Sequence, residues 1–214
     1  MTETKTSLAI DVWADIVCPW CYVGEARLEK AAAALASEAD VNIRPHAFEL
    51  DPNHTHPEKV LDMLARKYGR SPDEVRTMES RVASLAQAEG LPYTSDRVSI
   101  NTFNAHRLVA AGADAGIGLE ILSALQRGHF SGELDLSDSE ALIATVVSVG
   151  LPEARAREVL AGDEYADSVR DDQAMARQMN VTGVPFTVVN QRYAIPGAAA
   201  QEHYLKVLQT ALEA

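Results

Sequence analysis

Cysteine is scarce in this 214-residue chain: Cys18 and Cys21 are the two it has. Basic residues are also in short supply, with 19 Lys and Arg against 31 Asp and Glu, for a formal charge of −12. A surface that acidic repels phosphate backbones, so nucleic acid is not an expected partner, and general solubility accounts for most of the excess. Long apolar runs are missing too. No stretch reaches the roughly 18 apolar residues that suggest a membrane span. The polar start, Met1 to Ser7, leads into a short alternating segment rather than the roughly 7–15 continuous apolar residues of a secretory signal. The expected location is the cytoplasm, away from membranes. There is no internal repeat, and the alanine run Ala31–Ala34 is simply good helix former. In a reducing compartment, two lone cysteines are more often catalytic or metal-binding than a structural staple.

What is present is an ordinary globular composition, 47% hydrophobic, in a length that suits one large domain or a domain with a substantial insertion. Residues 7–14 alternate and are rich in β-branched and aromatic types, which predicts a strand. Cys18 to about Glu38 carries Leu28, Ala31, Ala32 and Leu35 at helical spacing. Residues 41–48 read as a second strand, with Pro45 suited to an edge or a bulge. From residue 58 the pattern is helical for a hundred residues, with helices expected at about 58–68, 72–89, 101–115, 117–128, 138–149 and 153–161. Ser71-Pro72-Asp73-Glu74 and Ser137-Asp138-Ser139-Glu140 have the form of capping boxes. Gly69, Gly90, Gly116 and Gly150 fall where helices should stop. A helix at about 164–179 then precedes two short strands, 186–189 and 193–195, paired through Asn190-Gln191-Arg192. A closing helix covers 201–212. The reading is α/β, β-α-β … α-β-β-α, which is the order of a thioredoxin fold interrupted by an all-helical insertion. The segments are 1–57 and 163–214 for the thioredoxin-like domain and 58–162 for the insertion.

Strand, Cys-x-x-Cys, helix is the context in which the motif signals redox chemistry. A thiol at the first turn of a helix faces unpaired N–H groups and the positive end of the dipole, which favour thiolate. Cys21, one turn further, is placed to attack a mixed disulfide formed at Cys18. Pro19 suits the first turn because it lacks an N–H and its φ is preset. A zinc site wants four ligands, and one Cys-x-x-Cys supplies two. The six histidines, His54 and His56 nearest to a pair, are not spaced as a zinc module, so no metal is expected.

Several separated motifs carry a family resemblance. Asp15-Ile16-Val17-Cys18-Pro19-Trp20-Cys21-Tyr22-Val23-Gly24, Phe48-Glu49-Leu50-Asp51-Pro52, Asn101 through Leu108, Gly183-Val184-Pro185-Phe186 and Pro196-Gly197-Ala198 resemble the FrnE-like branch of the DsbA thioredoxin-like superfamily. That branch includes 2-hydroxychromene-2-carboxylate isomerases and kappa-class glutathione transferases. The resemblance spans essentially the whole chain. It implies a disulfide oxidoreductase acting on protein or small-molecule thiols and disulfides. No cofactor is implied beyond a low-molecular-weight thiol, such as glutathione or mycothiol, as co-substrate. It also implies a cis bond at Pro185, leaving the Val184 backbone to pair with an extended substrate.

Pro19, Trp20, Val184 and Pro185 are thus substrate-contact candidates around the catalytic pair. So are Asn101 and Asn104, as a polar wall from the helical block; the alternative is that Asn101 caps its helix and Asn104 and His106 satisfy core hydrogen bonds. His106 is expected to point elsewhere than Asn101 and Asn104. Trp20 stands where strongly oxidising periplasmic relatives carry a histidine, and an uncharged indole implies a weaker oxidant. Thioredoxins place a buried proton-relay carboxylate six residues before the first cysteine. Here that position is Val12, while Asp11 faces the other way and Asp15 is expected in the loop. In a reducing cytoplasm, reduction or isomerisation of target disulfides is the more natural direction. Two competing readings remain. One is a glutathione-dependent isomerase or transferase, in which Cys21 would have no role. The other is a non-catalytic binding or chaperone module.

Overall fold

The computed structural model describes residues 5–214; the first four residues of segment 1–57 lie outside the described residues. The chain runs β1 (Thr6–Ala14), α1 (Pro19–Ala34), β2 (Ala39–Ala47), β3 (Glu58–Lys59), α2 (Val60–Tyr68), α3 (Pro72–Ala88), β4 (Val98–Ser99) and α4 (Phe103–Asp114). It continues through α5 (Gly118–Ser131), α6 (Ser139–Ser148), α7 (Glu153–Ala161), α8 (Ala166–Gln178), β5 (Phe186–Val189), β6 (Tyr193–Pro196) and α9 (Gln201–Leu212). The four-stranded sheet has the order β2-β1-β5-β6. β2 lies parallel to β1, and β5 runs antiparallel to both β1 and β6. This is the thioredoxin fold, with a block of helices between β2 and α8. Pro45 sits on β2, an edge strand where its missing N–H costs no ladder bond. The β5–β6 turn has φ of 49° at Asn190 and 54° at Gln191, the mirror-turn geometry that matches strand twist. Asn190 also anchors the turn on β1, its amide donating to Ala9 O and its Oδ1 accepting from Ala9 N.

Four local expectations need correction. The helical block is not purely helical, because Glu58–Lys59 and Val98–Ser99 pair as an antiparallel ribbon. Two residues per strand are too few to show a period. α1 ends at Ala34 rather than near Glu38, with Leu35 as its C-cap. α8 begins at Ala166, since Tyr165 before it is left-handed at φ 61°. The cap of α6 is Asp138, whose side chain accepts from the Glu140 and Ala141 amides, while Ser137 bonds back to Asp135. The capping box at Ser71 and Glu74 is present as expected, and Gly69, Gly90, Gly116 and Gly150 all follow helices with positive φ.

Strand alternation decides what reaches the cysteines. Leu8, Ile10 and Val12 of β1 join the main core with Cys18, Cys21 and Leu28 of α1 and Tyr204 and Leu208 of α9. Each such aliphatic side chain removed from water contributes roughly 1.5–3 kcal/mol. Asp11 and Trp13 face α8 instead. There His46 of β2 stacks on Trp13 with ring centroids 4.5 Å apart. Its two nitrogens lie 2.9 Å from Asp11 Oδ1 and 2.6 Å from Asp172 Oδ1. Asp172 also accepts the Ala47 amide on Oδ2, and its carbonyl accepts Trp13 Nε1. On the other face, Gly24 lets α1 close on the loop before β5. A Cβ there would lie 3.0 Å from the Pro185 ring and 3.3 Å from Ala198 Cα. The helical block is fastened to α1 by a stack of rings, Tyr22 on Phe130 at 4.8 Å and Phe130 against Tyr93 at 5.4 Å. Arg97 lies over the Tyr93 and Phe130 rings and pairs with buried Glu79 at 2.7 Å.

Burial works against charge on His46, but its bonds to Asp11 and Asp172 outweigh it and raise its pKa to about 9. The folded chain therefore holds this proton more tightly than the unfolded chain, whose histidine titrates near 6.5. Its contribution, on the order of 3 kcal/mol, is complete below about pH 6.5 and lost as pH rises through about 9. Asp11, held below the ordinary carboxylate range chiefly by the His46 bond, loses its own contribution at the acid end. Thermal melts of the wild type should decline across that alkaline window, and His46→Gln should abolish the decline.

Gly24→Ala gains up to about 1 kcal/mol of helix propensity. It meets a ring and a backbone that cannot swing away, an overpacking cost of about 1–3 kcal/mol. Urea denaturation should show net destabilisation by about 1 kcal/mol, accompanied by slower disulfide exchange as the loop before β5 shifts from the cysteines.

Candidate active site

Cys18 is the N-cap of α1, with extended backbone (φ −85°, ψ 111°), and Pro19 occupies the first turn. Its amide donates to Asp15 O and its carbonyl accepts from Tyr22 N, each at 3.2 Å, so the residue is held on both sides of the strand-to-helix turn. The thiol does not cap the helix. It points across to the cis Val184–Pro185 bond, donating to Val184 O at 3.6 Å. The Val184 carbonyl, expected to be free for substrate, is thus engaged by Cys18. Cys18 is 3% exposed, Cys21 is 0% and Trp20 is 45%. Pro185 is buried and Val184 half-buried, so an open indole adjoins a nearly covered sulfur. Gly197 N donates to Pro185 O at 2.8 Å, tying the proline to the start of the α9 connection.

The structure brings Cys18, Cys21, Val184 and Pro185 together, with Pro19 and Trp20 on the adjoining turn. Asn101 and Asn104 lie differently. Asn101 Nδ2 donates to Glu49 Oε1 at 2.9 Å and to Pro52 O at 3.3 Å, and its Oδ1 accepts from Phe103 N at 2.9 Å. The N-cap of α4 is Thr102, so that last bond is a turn contact from the residue before the cap, not the expected cap. Exposed Asn104 accepts from Arg107 Nη1 at 3.0 Å. Arg107 in turn donates to the carbonyls of Val159, Gly162 and Glu164, a cation at the C-terminal end of α7. Among the described residues neither carboxamide bonds to a cysteine.

The side chain of α4 that does reach the cysteine loop is His106, expected to point elsewhere. Its Nε2 donates to Asp15 Oδ1 at 3.3 Å with both residues buried, and Asp15 Oδ2 accepts the Leu50 amide at 2.8 Å. A histidine set among buried Ala105, Leu108 and Val109 was the available signal. His129 of α5 lies near the same group. Burial first, then the Arg97 charge, push it down to about 3, so it is neutral at ordinary pH.

Beneath Cys21 lies a second residue that motif reading misses, Glu25, 3% exposed. Its Oε1 accepts from Gln126 Nε2 of α5 at 3.2 Å. Burial raises the Glu25 carboxyl well above its ordinary range. Cys21 is likewise raised well above the usual thiol value, by burial and then by its hydrogen bond to the Cys18 sulfur. The sequence signal was a carboxylate four residues after Cys21 and three before Leu28, inside the apolar stripe of α1. Chemically, one sulfur stands beside an exposed indole and a half-buried backbone, with a second sulfur behind it. That arrangement fits an attacking and a resolving thiol. Among the described residues no cluster of three or more His, Cys, Asp or Glu is placed to hold a metal ion.

Comparison with known proteins bears on the family and the fold. Residues 9–209 match the DSBA-like thioredoxin domain family. The crystal structure of a probable DsbA oxidoreductase from Streptomyces coelicolor is 39% identical, with a TM-score of 0.91 over 96% of this chain and 90% of that one. The cytosolic disulfide reductase DsbM of Pseudomonas aeruginosa, solved with GSH, shares the fold at 18% identity and a TM-score of 0.67, over 96% of this chain and all of its own. A 2-hydroxychromene-2-carboxylate isomerase shares it at 17% identity and 0.69, over 96% of this chain and 94% of that one. The uncharacterized protein YwbO of Bacillus subtilis is 25% identical over 202 residues, 93% of this chain and 94% of its own. With the family matched from β1 to α9, the chain belongs to the DSBA-like thioredoxin family.

Proposed function

We propose that this protein is a cytoplasmic thiol–disulfide oxidoreductase that reduces or isomerises disulfides of protein or small-thiol substrates. Cys18 attacks a substrate sulfur, and Cys21 then attacks Cys18 to release it. The observation that carries this reading is the cysteine pair itself, with Cys18 Sγ 3.6 Å from the Val184 carbonyl at a cis proline and Cys21 fully buried behind it. An extended substrate would add along the Val184 backbone beside Trp20, displacing the Cys18 contact. A low-molecular-weight thiol as co-substrate is supported by the GSH in the DsbM structure. A cytoplasmic site of action is supported by the shared fold with the cytosolic DsbM.

A second reading, a glutathione-dependent isomerase, draws on the shared fold with 2-hydroxychromene-2-carboxylate isomerase. It leaves Cys21 without a role.

The two readings separate on one variant. Cys21→Ala should lose insulin reduction and hold targets as mixed disulfides on Cys18, seen as thiol-sensitive adducts on non-reducing gels; adding Cys18→Ser should remove the adducts. Absence of adducts from lysate, or an isomerase activity that survives Cys21→Ala, would count against the oxidoreductase.

A further inference from the structure

Cys21 is 0% exposed, so its proton has no direct route to bulk water when the thiol must become a nucleophile. The strand position that could hold a carboxylate beneath it is occupied by Val12, and Asp11 is turned to His46 on the far face of the sheet. Two carboxyls remain on the cysteine side, and Asp15 already has its oxygens taken by the Leu50 amide and His106, which leaves Glu25. Glu25 follows Cys21 by four residues in α1, which places the two on the same helical face with Cβ atoms roughly 5–6 Å apart. Both are buried. Gln126 holds Oε1, whereas Oε2 has no hydrogen-bond partner among the described residues. A buried acceptor left unpaired costs about 1–3 kcal/mol, and more if charged, so a purely structural glutamate is a poor filler for this place.

We propose that Glu25 is the proton acceptor and donor for Cys21, with Gln126 as its positioning residue. The inference rests on the dithiol exchange proposed above. With a substrate sulfur bonded to Cys18, the Cys21 thiol passes its proton to the Glu25 carboxylate. The Cys21 thiolate then attacks Cys18 Sγ. The Cys18–Cys21 disulfide forms, the bond from Cys18 to the substrate breaks, and the substrate sulfur leaves with the electron pair. The enzyme dithiol is oxidised as the substrate disulfide is reduced, and the proton held by Glu25 is returned to solvent or to the departing thiolate. In the opposite direction, neutral Glu25 protonates Cys21 as it leaves.

The electrostatic setting agrees. The groups acting on Glu25 are Cys18, Cys21 and Glu29 on its own helix, Gln126 from α5 and Tyr204 from α9. None is cationic, and burial leads in raising its carboxyl, with the Gln126 bond opposing. A carboxyl so raised gives and takes a proton closer to neutrality than an exposed one. His129, pushed down to about 3, is far from that range.

Stopped-flow reaction of the reduced protein with excess dithiobis-nitrobenzoate separates the steps. Release of the first chromophore reports attack by Cys18 and depends on reagent concentration; release of the second reports attack by Cys21 and does not. In the wild type the second rate should rise with pH through an inflection. In Glu25→Gln it should fall roughly 10²-fold near neutral pH, the scale of general acid–base catalysis. The inflection should give way to a steady rise with hydroxide, and Glu25→Asp should recover part of the rate. Gln126→Leu removes the bond that opposes burial and should move the inflection to higher pH, which keeps a test available if Glu25→Gln does not fold. A second phase unchanged in Glu25→Gln, or an inflection unmoved in Gln126→Leu, overturns the role of Glu25 while leaving the oxidoreductase reading intact. A wild type that never releases the second chromophore overturns both.

Discussion

The buried carboxylate of Asp15 is the junction on which the geometry of the cysteine site depends. It stands between the end of β1 and the start of α1, and its backbone carbonyl receives the Cys18 amide. Its two oxygens receive the Leu50 amide, from the segment after β2, and His106, from the helical block. Three stretches far apart in sequence are thereby referred to one side chain. Removing a partner from such a group leaves a charged acceptor unpaired in a dry interior, which costs more than the bond itself contributes. The turn that aims Cys18 at the cis proline therefore cannot relax independently of the insertion. This is how a block of helices inserted after β2 becomes part of the cysteine site rather than an appendage.

The same logic recurs through the block, where buried cations hold segments by their backbone or by a single carboxylate. Arg107 gathers three carbonyls around the end of α7, and Arg97 joins Glu79 to the ring stack that ends on Tyr22, next to Cys21. On the opposite face of the sheet, His46 with Asp11 and Asp172 does the equivalent work for β1, β2 and α8. The carboxylate nearest in sequence to a thioredoxin-like relay is thus committed to holding strands together, a direct consequence of the two-residue period of β1.

Much of this was legible in the sequence because it rests on local chemistry. The Cys-x-x-Cys after an alternating strand, Pro19 at the first turn, the capping box at Ser71 and the helix-ending glycines each follow from the residues concerned. What was not legible depended on distant partners. The β3–β4 ribbon pairs residues about forty apart and is too short to carry a pattern. His106, rather than Asn101 or Asn104, reaches the cysteine loop, because helical spacing shows which residues share a face but not which neighbour that face meets. Asp15 was visible as a loop residue, yet nothing local shows that the loop is buried. Glu25 reads in sequence as an ordinary charged position; its meaning comes from Gln126, about a hundred residues away.

The two sulfurs consequently have different surroundings, and the asymmetry follows from the fold. Cys18 belongs to the surface side, between the exposed Trp20 indole and the Val184 backbone. Cys21 belongs to the interior, where burial keeps its thiol protonated and only protein groups can relieve it. Under the exchange proposed above, a substrate would meet the dithiol at the loop before β5, while the Cys21 proton would pass along α1 to Glu25. A helical insertion that merely covered the pair from above would influence the first of these alone. Because α4 reaches Asp15, whose carbonyl holds the Cys18 amide, and α5 reaches Glu25 beside Cys21, the insertion touches the surroundings of both sulfurs, from the flank and from below.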